Sequence, residues 1–443
     1  MKKIVLSLAG ALAATAFAPE AAAVPAFARQ TGMACNACHA QHFPILNAFG
    51  RAFKAGGYTM MGSQGKIEGD HLSIPDALNA SVVLKLRYQD SDGRRTAGTA
   101  ADAYKPASNP DTYADNKRSG AGVGDGQVQW DEFALFFGGR IAENVGFMIE
   151  GNMLAGQLMG GFRMPFVFDV GGAKLSVIPF TTDAMGPQMG YEQSSGGVFR
   201  ANRWAEHRRE ISAVQYMSDR AHDGGAASGL AFTAAADTGY ISLTKWTPNF
   251  LVGANNPATG QSAEFSSSYV RVAATPTVAD WALHIGAGKM SGESYSTDKA
   301  AAGIAANGLV DTDMTFFDFQ AQGELLGKEL GVYLQHAKAP NTVNGNIYNP
   351  RAKSANPDRK ATTIGADYSV IPHVLSIGAA YRSADDGGTA ATNGEDAWTV
   401  TGVYDMYQNV ALHLNYSHYS GSSITDANLK PTKLMTMMLE AAW

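Results

Sequence analysis

From about residue 76 to its end, the chain is a succession of segments roughly ten residues long in which apolar and polar side chains alternate. Val410, Leu412, Leu414 and Tyr416 alternate with Ala411, His413, Asn415 and Ser417. Thr362, Ile364, Ala366, Tyr368 and Val370 alternate with Thr363, Gly365, Asp367 and Ser369, and Phe317, Phe319, Ala321 and Leu325 oppose Asp318, Gln320, Gln322 and Glu324. Strands that cross an outer membrane need about 9–11 residues with one lipid face and one lumen face. Strands of a soluble β-sandwich alternate too, but average about five or six residues.

The connections and the chain end favour the barrel. Ala142-Glu143-Asn144, Leu326-Gly327-Lys328 and Tyr407-Gln408 are tight, whereas 90–126, 181–205, 290–312 and 339–360 are long and polar. That asymmetry is expected of short periplasmic turns and long external loops. At the C-terminus, Met435, Met437, Leu439, Ala441 and Trp443 form one face, with Thr436 and Glu440 on the other. A terminal aromatic on an alternating last strand resembles the sorting signal of bacterial outer-membrane proteins.

The pattern predicts an all-β transmembrane barrel of about 16 antiparallel strands, an even count that keeps both ends on the periplasmic side. The strands are placed at 79–89, 127–139, 144–154, 164–179, 206–217, 229–237, 240–254, 266–276, 279–289, 313–325, 329–338, 361–370, 374–383, 396–406, 409–419 and 433–443. The pattern is weakest over 155–260, and eighteen strands is the alternative. A barrel of this size encloses an aqueous channel or a plug. Although 443 residues is nominally about three average domains, one barrel accommodates most of them.

The N-terminus predicts export. Lys2 and Lys3 precede an apolar stretch from Ile4 to Ala18, and Ala21-Ala22-Ala23 offers a small-residue cleavage site, with Ala26 as the alternative. The signal peptide is accordingly 1–23. No later segment approaches the ~18–20 uninterrupted apolar residues of a membrane-spanning helix. The formal charge of −6 is mild and gives no sign of a nucleic-acid partner.

Between signal and barrel lies a compact unit over 24–75, expected to be a small α-helical domain in or against the lumen. The chain has only two cysteines, both in Cys35-Asn36-Ala37-Cys38-His39. C-x-x-C-H is the attachment signature of c-type haem. Two thiols one turn apart can each add to a porphyrin vinyl group, and the histidine that follows ligates the iron from the proximal side. A zinc site would need a second ligand pair. A thioredoxin-type pair would need a βαβ context. A structural disulfide is the remaining use of an exported pair. The cofactor expected is therefore one covalently bound haem c, held by Cys35, Cys38 and His39.

The distal ligand is open between Met60 or Met61, beyond a helix and a Gly-Gly bend, and His71, with an unliganded position as the other outcome. His42 is too near His39 to reach the opposite face. Phe43, Leu46, Phe49 and Phe53 recur at helical spacing, and Gly56-Gly57 ends that helix. From Phe27 to Ile74 there are fewer than fifty residues, below what usually folds alone, so haem and other protein must complete the core.

Pro25 to His39, continuing through Phe43-Pro44, Leu46-Asn47, Phe49-Gly50-Arg51, Phe53-Lys54 and Gly57-Tyr58, resembles the fused cytochrome–porins of iron-oxidising bacteria. The resemblance is dense over about 25–60 and architectural over the barrel. It implies a monohaem cytochrome fused to an outer-membrane porin. The implied activity is oxidation of extracellular Fe(II), with electrons passed through the haem to a periplasmic cytochrome or copper protein. Cys35, Cys38 and His39 take the family's haem-binding positions. Lipid is the surrounding partner, and a homotrimer is the assembly that porins of this size suggest. Asp and Glu of the long loops are candidate attractors of Fe(II), which takes hard oxygen ligands when hydrated.

Overall fold

The computed structural model describes residues 26–41, 45–62, 64–70, 72–91, 127–153, 157–183, 185–194, 211–218, 225–250, 264–295, 309–343, 345–349, 357–389, 393–424 and 432–443. The expected export signal, His42, Phe43, Pro44 and His71 lie outside these residues.

The strands close into one antiparallel barrel. In chain order they are β1 (Ala80–Ser91), β2 (Gln127–Ala142), β3 (Val145–Asn152), β4 (Gln157–Arg163 continued by Phe166–Val170) and β5 (Ala173–Thr182). Next come β6 (Ala227–Ala236), β7 (Gly239–Thr247), β8 (Ser267–Ala274 continued by Thr277–Val278) and β9 (Trp281–Ser291). The remainder are β10 (Met314–Leu325), β11 (Lys328–Ala339), β12 (Arg359–Ile371), β13 (Leu375–Asp385), β14 (Asp396–Tyr407), β15 (Val410–Ser420) and β16 (Lys433–Ala442). Each strand pairs with its chain neighbour, and β16 closes on β1 with Thr436 opposite Gln89 and Leu439 opposite Leu86. Val82 and Trp443 exchange both backbone hydrogen bonds at the closing rim. Closure leaves no unpaired strand edge in the barrel, the condition a sheet must meet in hydrocarbon.

The total of sixteen results from two misplacements that cancel. The strand expected at 164–179 is a hairpin: β4 and β5 are joined by Gly171-Gly172, both with positive φ (58° and 84°), which suits a tight two-residue turn. The strand expected over 206–217 is absent from 211–217. Ala213–Ser218 is instead a short helix, α3 in chain order after α1 (Ala26–Thr31) and α2 (Ala48–Ala55). It is held inside the lumen by Ser212 donating to Gln335 (2.6 Å), Tyr216 to Glu395 (3.1 Å) and Arg359 to the Met217 carbonyl (3.2 Å). The guanidinium groups of Arg359 and Arg382 lie 4.2 and 4.3 Å from the Tyr216 ring centroid. Inward-facing side chains therefore outcompete any strand propensity of this segment.

Burial on the two strand faces is the reverse of a soluble protein's. Phe317 is 59% exposed, Leu414 52% and Ile364 53%, whereas the intervening Asp318, His413, Asn415 and Thr363 are buried. Water would penalise that outward face at about 25 cal/mol per Å², and lipid removes the penalty. The soluble sandwich is thereby excluded, and the chain is an outer-membrane barrel.

Seven tight turns mark one rim among the described residues, from Glu143-Asn144 to Gln408-Asn409, and the longer connections leave from the other. Residues 26–41 and 45–62 enter the lumen at the tight-turn rim. Gln41 donates to the Glu329 carboxylate (3.0 Å, backbone N–H) and the Asp367 carbonyl (2.6 Å), and Arg51 to Gln322 (2.9 Å). On the opposite wall the Arg140 N–H donates to Gln30 (3.0 Å). The plug is thus latched to β2 on one side and to β10, β11 and β12 on the other. A short hairpin, Lys66–Gly69 with Leu72–Pro75, joins it to the wall.

Candidate haem site

The cysteine motif forms a single helical turn. Cys38 and His39 N–H both donate to the Cys35 carbonyl (3.1 and 3.0 Å), which sets the two thiols one turn apart, and no disulfide joins them. Asn47 caps α2: its side chain accepts from the Gly50 N–H (2.9 Å) and donates to the Ala37 carbonyl (3.0 Å), while its N–H donates to Cys38 O (3.0 Å). One asparagine therefore starts the helix and ties it to the motif. A Cβ at Gly50 would stand 2.3 Å from the Cys38 carbonyl oxygen, so only glycine permits this approach.

Between this turn and the wall lies a cavity of about 340 Å³. Cys35, Cys38 and His39 line it together. Phe27, Leu46 and Phe53 of the plug and Val83, Phe136 and Phe137 of the barrel form its apolar wall. Phe27, Phe53 and Tyr58 pack as a triad, with ring centroids 4.7 to 5.7 Å apart. The aromatic stripe expected on one helix face is divided, because α2 begins only at Ala48: Leu46 and Phe53 face the cavity, while Phe49 is exposed. Burial pushes both thiols up, which keeps them protonated near neutral pH.

Paired thiols, an adjacent imidazole and a large aromatic cavity fit a covalently attached porphyrin. Cys35 and Cys38 would form its thioethers and His39 its proximal bond. Met60 and Met61 are half-buried and are not among the cavity's lining residues; the Met60 carbonyl accepts from Gln30 (2.8 Å). The methionines that do line it are Met33, Met148, Met185 and Met189. Sequence reasoning missed these because three of them lie more than a hundred residues from the motif and reach it only through barrel closure.

A second cavity of about 110 Å³ also touches Cys35 and His39. Asp405, His413 and Glu440 line it, as do His373, Gln408 and Asn409 of the tight turns, so it reaches that rim. Cys35 and His39 therefore touch both cavities, and the second, which carries Asp405, His413 and Glu440, leads to the short-turn side.

Above the apolar cavity, the connection after β5 folds inward and carries Met185, Gln188, Met189 and Glu192 onto the cavity wall. Glu192 receives Arg271 Nε (3.0 Å) and the Tyr240 hydroxyl (2.7 Å). Arg271 also makes a bidentate pair with Asp318 (2.6 and 3.0 Å), and the His284 ring nitrogen Nδ1 lies 3.0 Å from that carboxylate. This buried network braces the inward segment against β7, β8, β9 and β10.

No family model matches the chain, and no curated protein matches it. Among solved structures it is similar to the outer-membrane expressed OmpT of Vibrio cholerae, at 13% identity and a TM-score of 0.46, over 86% of this chain and 100% of that one. It is also similar to a BenF-like porin from Pseudomonas fluorescens Pf-5, at 11% identity and a TM-score of 0.43, over 84% and 100%. A porin structure aligns at 10% identity and a TM-score of 0.44, over 83% and 100%. At such TM-scores these likenesses carry no argument, and the barrel assignment rests on the strand pairing itself.

Proposed function

We propose that this outer-membrane barrel is a cytochrome–porin that oxidises extracellular Fe(II) and delivers the electron, through one c-type haem, to a periplasmic carrier, either a cytochrome or a copper protein. The observation that carries the reading is the placement of Cys35-Asn36-Ala37-Cys38-His39 inside the lumen, where Cys35 and His39 touch both an aromatic cavity and a second cavity reaching the short-turn rim. In outer-membrane barrels that rim faces the periplasm. A plain solute pore has no use for such a motif, and a free periplasmic cytochrome has none for a barrel. Trimers are the assembly this reading expects.

Fe(II) gives up one electron on the outer side and Fe(III) remains there, away from the compartment where it would precipitate. A bound haem supplies reversible one-electron exchange at its iron. The chain's own residues tether it at Cys35 and Cys38, ligate it from His39 and exclude water with Phe27, Phe53, Phe136 and Phe137. The latches at Gln41 and Arg51 hold the motif near the periplasmic mouth, where a carrier docked on the short turns comes within reach.

Adding Fe(II) to the oxidised protein in detergent should reduce it, read as sharpening of the visible haem bands. Absence of reduction by Fe(II), with reduction by dithionite intact, would sink the iron reading and leave a conduit for another donor. A second reading, a solute porin whose haem-bearing segment is a plug, is favoured by the polar lumen wall of Asp318, His284 and Asn415. Liposome swelling by small sugars that persists in the Cys35→Ser/Cys38→Ser protein would support it.

A further inference from the structure

Three nitrogen-bearing side chains share the apolar cavity with the cysteine motif: Lys54 of α2, Arg163 of β4 and Gln188 of the inward segment. Gln188 is 3% exposed, and neither its Nε2 nor its Oε1 has a hydrogen-bond partner among the described residues. Arg163 is equally buried; one guanidinium nitrogen donates to the Met189 carbonyl (3.1 Å) and the group lies 4.9 Å from the Tyr58 ring centroid, but Nε has no partner. The one carboxylate on the cavity wall among the described residues, Glu192, is engaged by Arg271, by the Tyr240 hydroxyl and by the N–H groups of Gln193 and Ser194 (both 2.9 Å). Burial, and then the neighbouring Arg163 charge, pull Lys54 down to about 7.

A buried guanidinium, a lysine whose charged form burial disfavours and an unpaired amide facing one apolar space are costly unless the occupant brings anionic oxygens. Haem brings two. Its propionates lie on the ring edge opposite the vinyl groups, so a ring tethered at Cys35 and Cys38 turns them away from the motif and across the cavity. We propose that Lys54, Arg163 and Gln188 form the recognition site for the haem propionates and so fix the ring's in-plane orientation. Arg163 and Lys54 supply the opposite charge, and the Gln188 Nε2 donates a hydrogen bond to a carboxylate oxygen. The barrel wall and its inward segment thereby complete a cofactor site whose covalent half lies on the plug. This inference rests on reading the cysteine motif as a haem attachment site.

The test uses the full-length holoprotein, with Lys54→Met, Arg163→Leu, Arg163→Lys and Gln188→Leu variants. Covalent haem content, midpoint potential and the redox-induced infrared difference spectrum in the carboxylate region are read on each. Haem content should match the unmodified protein. The potential should fall in Lys54→Met and Arg163→Leu, because removing a nearby cation favours the oxidised iron, and Arg163→Lys should restore part of it. The propionate carboxylate bands should shift in all three deletions of a donor. Gln188→Leu removes an amide that is already unpaired in the protein, so barrel folding is unaffected and its infrared shift decides the matter even if Arg163→Leu misfolds. Unchanged bands and potentials in haem-loaded variants overturn the proposal. Absence of covalent haem from the unmodified protein is a separate result, and it overturns the reading of the motif itself.

Discussion

Gly50 is closely enclosed beside the cysteine turn. Its Cα faces the Cys38 carbonyl so closely that a methyl group would stand 2.3 Å from the oxygen and 3.1 Å from the Leu46 side chain. Gly50→Ala must push α2 off the motif, at a cost of about 1–3 kcal/mol typical of overpacking. The expected outcome is a barrel that still migrates as folded in semi-native electrophoresis but carries markedly less covalent haem. Lys54 makes a pH prediction. Its folded value of about 7 lies below the ordinary lysine value, so between the two the unfolded chain binds the additional proton. Stability of the Cys35→Ser/Cys38→Ser protein should therefore rise with pH from about 7 into the range where free lysine titrates, ~10.4. In the haem-loaded protein, a propionate beside Lys54 should flatten that slope. Urea midpoints of both forms across pH compare the two.

At the scale of elements, the hairpin β4–β5 turns on Gly171 and Gly172, both at positive φ and both free of any contact that a Cβ would disturb. Replacing the pair with Val-Val penalises the turn through backbone conformation alone, since β-branched residues resist positive φ. The variant should refold into vesicles more slowly, read as a delayed appearance of the heat-modifiable band. Asn-Gly at the same positions should restore the rate. The same elements explain where sequence reasoning faltered. Phe166, Val167 and Phe168 run into Gly171-Gly172 and on through Leu175 and Val177, and a single long apolar stretch looks like one strand when the turn signal is passed over. Ile211 to Met217 is apolar enough for a strand, but it lies inside the lumen, helical from Ala213, with contacts from β11, β12, β13 and Glu395 just before β14.

For the whole molecule, the inverted burial pattern makes a prediction of its own. Leu414 lies mid-strand on the lipid face and Asn415 beside it faces the lumen. Leu414→Arg should cost about 2–4 kcal/mol near the bilayer midplane. Asn415→Ser, on the lumen side, should cost far less. Urea unfolding in lipid vesicles measures both, and equal costs would contradict the assigned faces.

Much of this architecture is written locally. The ten-residue period of two, the tight turns against long connections and the C-x-x-C-H spacing depend on residues within one strand or one helical turn, so the alternating faces of β10, β12, β15 and β16 and the turn formed by Cys35, Cys38 and His39 were legible in the sequence alone. Tertiary structure decided what depends on closure. It determined which face of each strand meets lipid, and that residues 26–41 and 45–62 enter the lumen at the short-turn rim. It also set Lys54, Arg163 and Gln188, with Met185 and Met189, around one cavity. The physical reason is that period and spacing are properties of a few consecutive residues, whereas a cavity wall assembled from α1, α2, β1–β4, β16 and an inward segment exists only once β16 has paired with β1.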